Sequence, residues 1–388
     1  MQVGTIPLQQ HRQYPVTVDA RIALLFATSG HSGVDRVVAN LLPEFARMGQ
    51  AFDLLTIRGH GPVIASLPQG IRSVPLPAAH RDTVIPSLVR YLRRERPAML
   101  LTAGHRLNRA ALIARMVSGV PVRVTLRMGM SLTGLAEDLG PRRSRRLFRS
   151  MRRWYPRASG IITPSAGVGA DLEARVGLAP EGIHVIPNPI VNAEFSRLAS
   201  EPLADEWLQP GQPPVIMGAG SLEPRKDFAT LVRAFAAVRR RREARLIILG
   251  EGRERQRLTA LARELGVADA VRLPGHVDNP YAWMARAAAF ALTSRREGSG
   301  AVLVEALACG TPCVATDCPS GPAETLQQGR FGPLVAMGDD AALAAALEQL
   351  LTTPPSADTL RQATEPFRAS TAAQRYLAAM GCSETTPS

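Results

Sequence analysis

The chain has 388 residues, too many for one ordinary hydrophobic core, and 46% hydrophobic with 20% charged residues excludes a disordered polymer. A formal net charge of +13 calls for an anionic partner: nucleic acid, acidic lipid or a phosphorylated ligand. No run of about 18 apolar residues occurs, so no transmembrane helix is expected.

Residues 1–20 (MQVGTIPLQQHRQYPVTVDA) lack the apolar segment of a secretory signal and read as a flexible N-terminal extension. "RIALLFAT" (21–28) then forms a short apolar strand, followed by the Gly-containing loop "SGHSG" with Gly30 and Gly33. A helix follows, with Val34, Val37, Val38, Leu41, Leu42 and Phe45 on one face and Gly49 as its stop. "FDLLTI" (52–57) is the next strand, and the alternation continues with a helix around 83–96, a strand at 98–102, a helix at 107–118 and a strand at 122–126. After a long basic helix come "GIITPS" (160–165), another helix and "IHVIPNP" (183–189). Strands alternating with helices predict a parallel sheet covered on both faces.

Residues 191–213, polar and Pro-rich and ending in "QPGQPP", read as a linker. The pattern restarts with "PVIMGAG" (214–220), a helix at 227–242, "RLIILG" (245–250), a helix at 254–266 and a strand near 270–273. It goes on through "AAFALTS" (288–294), a helix at about 300–309, "PCVAT" (312–316) and a helix at 340–351. The prediction is therefore two βα domains, 21–190 and 214–365, with 366–388 as a tail whose helix crosses back to the first. Two such domains facing each other make a central cleft lined by the carboxyl ends of their strands, where ligands of open α/β sheets bind.

Cys309, Cys313, Cys318 and Cys382 show neither paired Cys-x2-Cys spacing nor a nearby His, so reduced thiols are expected rather than zinc. Of the 46 basic residues only Lys226, in "SLEPRKD" (221–227), is lysine.

"SRREGSGAVLVEALACGTPCVATD" (294–317) carries the most chemistry. Glu297 sits on a loop at a strand's end, and Glu305 about one turn into the helix that begins after Gly298 and Gly300. Amides at that helix start suit phosphate oxygens, while the carboxylates suit sugar hydroxyls. Taken singly, both glutamates could equally be solvated helix-end charges.

The segment resembles the Glu-x7-Glu motif of retaining glycosyltransferases of GT-B fold, family 4. Its surroundings agree in order: "SGHSGVDRVVANLLPEFARMGQAFDLLTI" is similar to the family's N-terminal loop and helix, and "VIPNPI" to its interdomain junction. "GAGSLEPRKDFATLVRAF" resembles the basic donor-site loop, and "TDCPSGPAETL" the segment after the second glutamate. The resemblance runs from about residue 21 to 352.

It implies a GT-B architecture of two Rossmann-like doubly wound domains, the first on the acceptor side and the second binding the nucleotide sugar. Glu297 would contact hydroxyls of the transferred sugar, and Glu305 the ribose. Arg225 and Lys226 would face the pyrophosphate, as would the amides of Ser299 and Gly300. His276, in "PGHVDN" (274–279), lies where the family holds the base. Gly30 and Gly33 would let backbone approach the phosphates.

Two departures stand out. Ser221 follows Gly220 where the family typically has Arg, leaving Arg225 to take over that contact. After the strand "RVTLRMGM", where many relatives carry His or Glu-His, this chain has Arg127 and Met128-Gly129. His105, in "TAGHRLN", is the nearest replacement as a catalytic group, or else a plain polar loop residue.

"PRRSRRLFRSMRRWYPRAS" (141–159) sets Arg145, Arg149, Arg152, Arg153 and four further arginines against Leu147, Met151 and Trp154 at helical spacing. Two readings stay open. The helix could anchor on acidic lipid through these arginines and Trp154, or pack its stripe on its own domain and leave arginine in water.

The resemblance thus implies transfer of a sugar from a nucleoside-diphosphate sugar, UDP favoured on family frequency, to a carbohydrate or lipid-linked acceptor in envelope or exopolysaccharide synthesis. No metal or other cofactor is expected, since no Asp-x-Asp pair occurs. The expected setting is cytoplasmic, peripheral on the inner face of the membrane. A GT-B epimerase or phosphorylase is disfavoured by the basic loop joined to Glu-x7-Glu. A nucleic-acid-binding protein is disfavoured by 5% aromatic content and the lack of a binding motif.

Overall fold

The strands are apolar almost throughout, as strands buried on both faces must be, and they assemble into two wholly parallel sheets. The computed structural model describes residues 6–8, 21–26, 33–58, 67–78, 80 and 83–382. It divides into two units, one of residues up to Ile190 rejoined from Ala369 onward, the other Val191–Arg368.

In the first unit the strands are β1 (Ile22–Phe26), β2 (Phe52–Ile57), β3 (Ile71–Leu76), β4 (Met99–Ala103), β5 (Arg123–Arg127), β6 (Gly160–Thr163) and β7 (Ile183–Val185). Their order is β3-β2-β1-β4-β5-β6-β7, a doubly wound sheet whose direction reverses between β1 and β4. β3, "IRSVPL", was not legible as a strand. It lies at the sheet edge, where Arg72, Ser73 and Pro75 face water and Pro75 costs no shared ladder bond. On β2, Asp53 is fully buried. Arg21 pairs with it at 2.8 Å, Arg72 at 2.8 Å, and Tyr91 donates to it at 2.7 Å. Burial alone would raise the Asp53 carboxyl, but hydrogen bonds from Arg72, Tyr91 and Arg21 hold it below its ordinary range.

The second unit holds β8 (Val215–Ala219), β9 (Arg245–Leu249), β10 (Val271–Gly275), β11 (Ala289–Leu292), β12 (Cys313–Thr316) and β13 (Leu334–Val335), ordered β10-β9-β8-β11-β12-β13. The reversal lies between β8 and β11.

Two boundaries differ from the sequence reading. Residues 191–213 are not a bare linker. They carry the helix Phe195–Ser200, and Trp207 and Leu208 join the second unit's core. The Trp207 ring is stacked against Arg272, 3.8 Å from its centroid. Composition hid this, because one buried tryptophan outweighs many polar neighbours in fixing a segment. Within the extension, Ile6 pairs with the chain at Leu178, its amide donating to Gly177 at 2.7 Å. The helix Ala369–Met380 belongs to the first unit, where Ala372, Ala373, Tyr376 and Met380 pack into the core beside the helix Gly33–Arg47.

Candidate active site

Because β8 and β11 are neighbours, the loops that leave their carboxyl ends meet. After β8, the chain turns through a short 3-10 helix, Pro224–Lys226, into the helix Phe228–Arg239. After β11 it runs through Glu297 to Gly300 and into the helix Ala301–Ala308. The reversal point of such a sheet is where its ligands bind.

Lys226 is 6% exposed, and its Nζ lies 2.5 Å from Glu297 Oε1. Ser294 Oγ donates to the same oxygen at 2.6 Å. Glu297 Oε2 accepts nothing from the described residues, so one carboxylate oxygen is saturated and the other is available. Lys226 likewise spends one of its three ammonium protons there.

The scaffold behind this pair is dense. Thr293 Oγ1 donates to the Lys226 carbonyl at 2.9 Å, and the Arg295 amide donates to the Arg225 carbonyl at 2.8 Å. Arg295 also pairs with Asp227 at 2.8 Å, and Asp227 adopts the left-handed conformation, φ 47°. Ser320 Oγ donates to the Glu297 carbonyl at 2.8 Å. Gly220 has φ 149°, and a Cβ there would stand 3.2 Å from Lys226 Cε, so glycine gives the lysine stem its room.

The remaining expected residues divide. Arg225 is exposed, and its Nη2 donates to Ser221 Oγ at 3.1 Å, so the residue that departs from the family pattern touches the arginine expected to take over its contact. Ser299 and Glu305 are buried, and Gly300 has φ 62° where it starts its helix, with Gly298 in the same loop. His276 is exposed past the end of the edge strand β10, two strands from the Lys226 loop. In the first unit, Gly33 opens its helix and His105 opens the helix His105–Ser118 after β4. Gly30 lies outside the described residues.

Ser294, Thr293, Asp227, Arg295 and Ser320 were missed. Arg295 and Ser294 stand two and three residues before Glu297, and that proximity was the available signal. Asp227 directly follows Lys226, and Ser320 gave no signal. The cysteines are all free thiols, and burial pushes Cys309 and Cys318 up to about 12, so neither is a thiolate nucleophile at neutral pH.

In the basic helix, Pro141–Trp154, one side packs on its own unit. Met151 is buried, and Leu147, Phe148 and Trp154 pack against the first unit's core. Arg145, Arg149, Arg152 and Arg153 are exposed, as are Arg142, Arg143 and Arg146. Among the described residues no carboxylate pairs with any of them. Trp154 is half-buried. It packs in part against the core, and Arg153 and Arg157 lie over its ring, 5.8 and 5.3 Å from the centroid.

Two family models match the chain, the glycosyl transferase 4-like domain over residues 32–189 and glycosyl transferases group 1 over residues 200–366. The chain belongs to the group 1, GT4-type glycosyltransferases. It is 34% identical over 199 residues to N-acetylgalactosamine-N,N'-diacetylbacillosaminyl-diphospho-undecaprenol 4-alpha-N-acetylgalactosaminyltransferase of Campylobacter jejuni, a stretch covering 51% of this chain and 52% of that protein. The chain thus matches about half the length of this curated relative. In fold, this glycosyltransferase is similar to the lipopolysaccharide outer core galactosyltransferase WaaB, with TM-score 0.72 at 20% identity, covering 93% of this chain and 99% of that one. It is also similar to Anabaena Alr3699/HepE in complex with UDP, with TM-score 0.70 at 18% identity, covering 92% and 98%. Both neighbours share the GT-B architecture of two parallel-sheet Rossmann-like domains.

Proposed function

We propose that this glycosyltransferase moves a sugar from a nucleoside-diphosphate sugar to a carbohydrate or lipid-linked acceptor of the cell envelope, keeping the anomeric configuration. The observation that carries this reading is the Lys226–Glu297 pair at the reversal point of the second sheet, with one carboxylate oxygen and two ammonium protons uncommitted among the described residues. The open oxygen suits a sugar hydroxyl, and the ammonium suits the adjoining phosphate.

In the proposed step the bond from the anomeric carbon to the β-phosphate oxygen breaks. A bond to the acceptor hydroxyl oxygen forms on the same face, and the hydroxyl proton passes to the departing phosphate. Charge growing on the nucleoside diphosphate is met by Lys226, Arg225 and the amides of Ser299 and Gly300. Glu305 would hold the ribose and His276 would flank the base. We propose no metal for this step, so turnover should survive a chelator. His105 is the candidate acceptor-side acid or base.

UDP as the nucleotide is supported by the UDP-bound neighbour of the same fold, and a lipid-linked acceptor by the relative whose acceptor is a diphospho-undecaprenol. The exposed arginines on the basic helix would hold the first unit on anionic lipid by charge alone. This would make the protein peripheral on the inner face of the membrane.

Thermal-shift measurements with UDP, GDP and ADP test the reading. One nucleotide should stabilise the protein, and Lys226→Gln or Glu305→Gln should abolish that shift. Stabilisation by polynucleotides alone would overturn it. A donor screen following nucleotide release, with membrane extract as acceptor and with or without EDTA, then identifies the sugar.

A further inference from the structure

Arg127, the last residue of β5, is 3% exposed. Its Nε donates to Tyr376 Oη at 2.9 Å and its Nη2 to Asn188 Oδ1 at 2.6 Å. Both acceptors are neutral. Among the described residues no carboxylate pairs with Arg127, and its Nη1 donates to none.

A buried cation without a counter-charge is costly, and such charges in folded proteins are normally paired or reserved for a ligand. The same sheet shows the paired alternative in Asp53, which two arginines and a tyrosine surround. Arg127 differs in this respect, and it also differs in place. Asp53 is the second residue of its strand, whereas Arg127 is at a carboxyl end, paired in register with Ala103 of β4. That neighbour leads through Gly104, φ 90°, into the helix that starts at His105. Two residues beyond Arg127, a Cβ on Gly129 would stand 3.0 Å from Nη1, so glycine there gives the guanidinium its room.

We infer that Arg127 is an anion-recognition residue of the first unit that takes a phosphate of the acceptor. The donor's own diphosphate is already provided for by Lys226, Arg225 and the helix-start amides. An arginine held by two neutral partners is pre-organised for a phosphate oxygen, and three of its five N–H donors, two of them on Nη1, stay uncommitted among the described residues. The inference rests on the transfer reading for its assignment to the acceptor.

Inorganic pyrophosphate is the probe, used on the full-length chain carrying Lys226→Gln, which silences the donor site. Pyrophosphate should still stabilise this variant against heat. Adding Arg127→Gln should weaken its binding about tenfold or more, as loss of a charge-assisted hydrogen bond does. Tyr376→Phe in the same background removes one of the two bonds that hold Arg127 and should weaken the pyrophosphate shift by less than Arg127→Gln does, whereas a loss as large as that of Arg127→Gln would point to a purely structural Arg127. If Arg127→Gln fails to fold, Arg127→Lys should bind pyrophosphate several-fold more weakly. Unchanged binding in both Arg127 variants, no residual pyrophosphate effect, or stabilisation by glucuronate and not by pyrophosphate would overturn the inference. The UDP shift of the unsubstituted protein tests the transfer reading separately, so either can fail alone.

Discussion

The Lys226 loop and the basic helix hold positive charge in opposite ways. Lys226 is one buried ammonium, locked to a carboxylate and braced by two loops. The helix Pro141–Trp154 puts seven arginines in water with no carboxylate partner among the described residues. A single buried charge acts through placement, because low local dielectric and fixed geometry make each contact strong. A surface array acts through number, each member worth little and all of it screened by salt.

The largest expected effect is at the buried pair. Lys226→Ala should lower turnover by about two to three orders of magnitude, the size found when a donor to a developing oxyanion is removed. It should also lower the melting temperature, because Glu297 loses its partner while remaining buried. Lys226→Arg preserves the charge but not the fit, and should lose on the order of 10- to 100-fold, as small misplacements of catalytic groups do. Near-normal turnover for this variant would show that charge alone is at work and would dissolve the contrast.

A double-mutant cycle of Lys226→Gln with Glu297→Gln sharpens the same point. Contacting residues should couple by about 0.5–3 kcal/mol in stability. Additivity would mean that the pair is not formed in solution.

On the helix, reversing Arg145, Arg149, Arg152 and Arg153 to glutamate should cost about 1 kcal/mol per charge in binding to anionic vesicles, read by co-sedimentation. Binding to neutral vesicles should be negligible before and after. Trp154→Ala, by contrast, should lower the melting temperature and leave vesicle binding intact, since the ring packs in part against the core. Vesicle binding lost with Trp154 would restore the insertion reading.

The smallest effect concerns Asp53. Its folded carboxyl is held below its ordinary value, so its stabilisation is present above the unfolded value near 3.8 and is lost as pH falls through the folded one. The acid limb of thermal stability should therefore be shallower in Asp53→Asn.

Much of the fold was legible because hydrophobic period is a local property. "FDLLTI" and "RLIILG" announce buried strands by composition, and the helix after Gly300 by its glycines. β3 and the 191–213 segment were not, because a half-exposed edge strand is as polar as a loop and a lone Trp207 does not change local composition. In the site, Lys226 stood out by rarity and Glu297 by its spacing from Glu305. Their mutual contact did not, since each had been given to a different part of the ligand. The contacts made by Asp227, Arg295 and Ser320 were hidden because nothing in a loop's own sequence says which neighbour it will touch.

The order of βα units, the two-domain plan and the Glu-x7-Glu spacing follow from the sequence alone, because each depends on residues within a turn or two of one another. That Lys226 meets Glu297 across 71 residues, and Arg127 meets Tyr376 across 249, was decided only in three dimensions. Crossover connections choose which strands lie side by side, and that choice, rather than any local preference, determines which charges are buried together, which remain in water and which are left without a counter-charge.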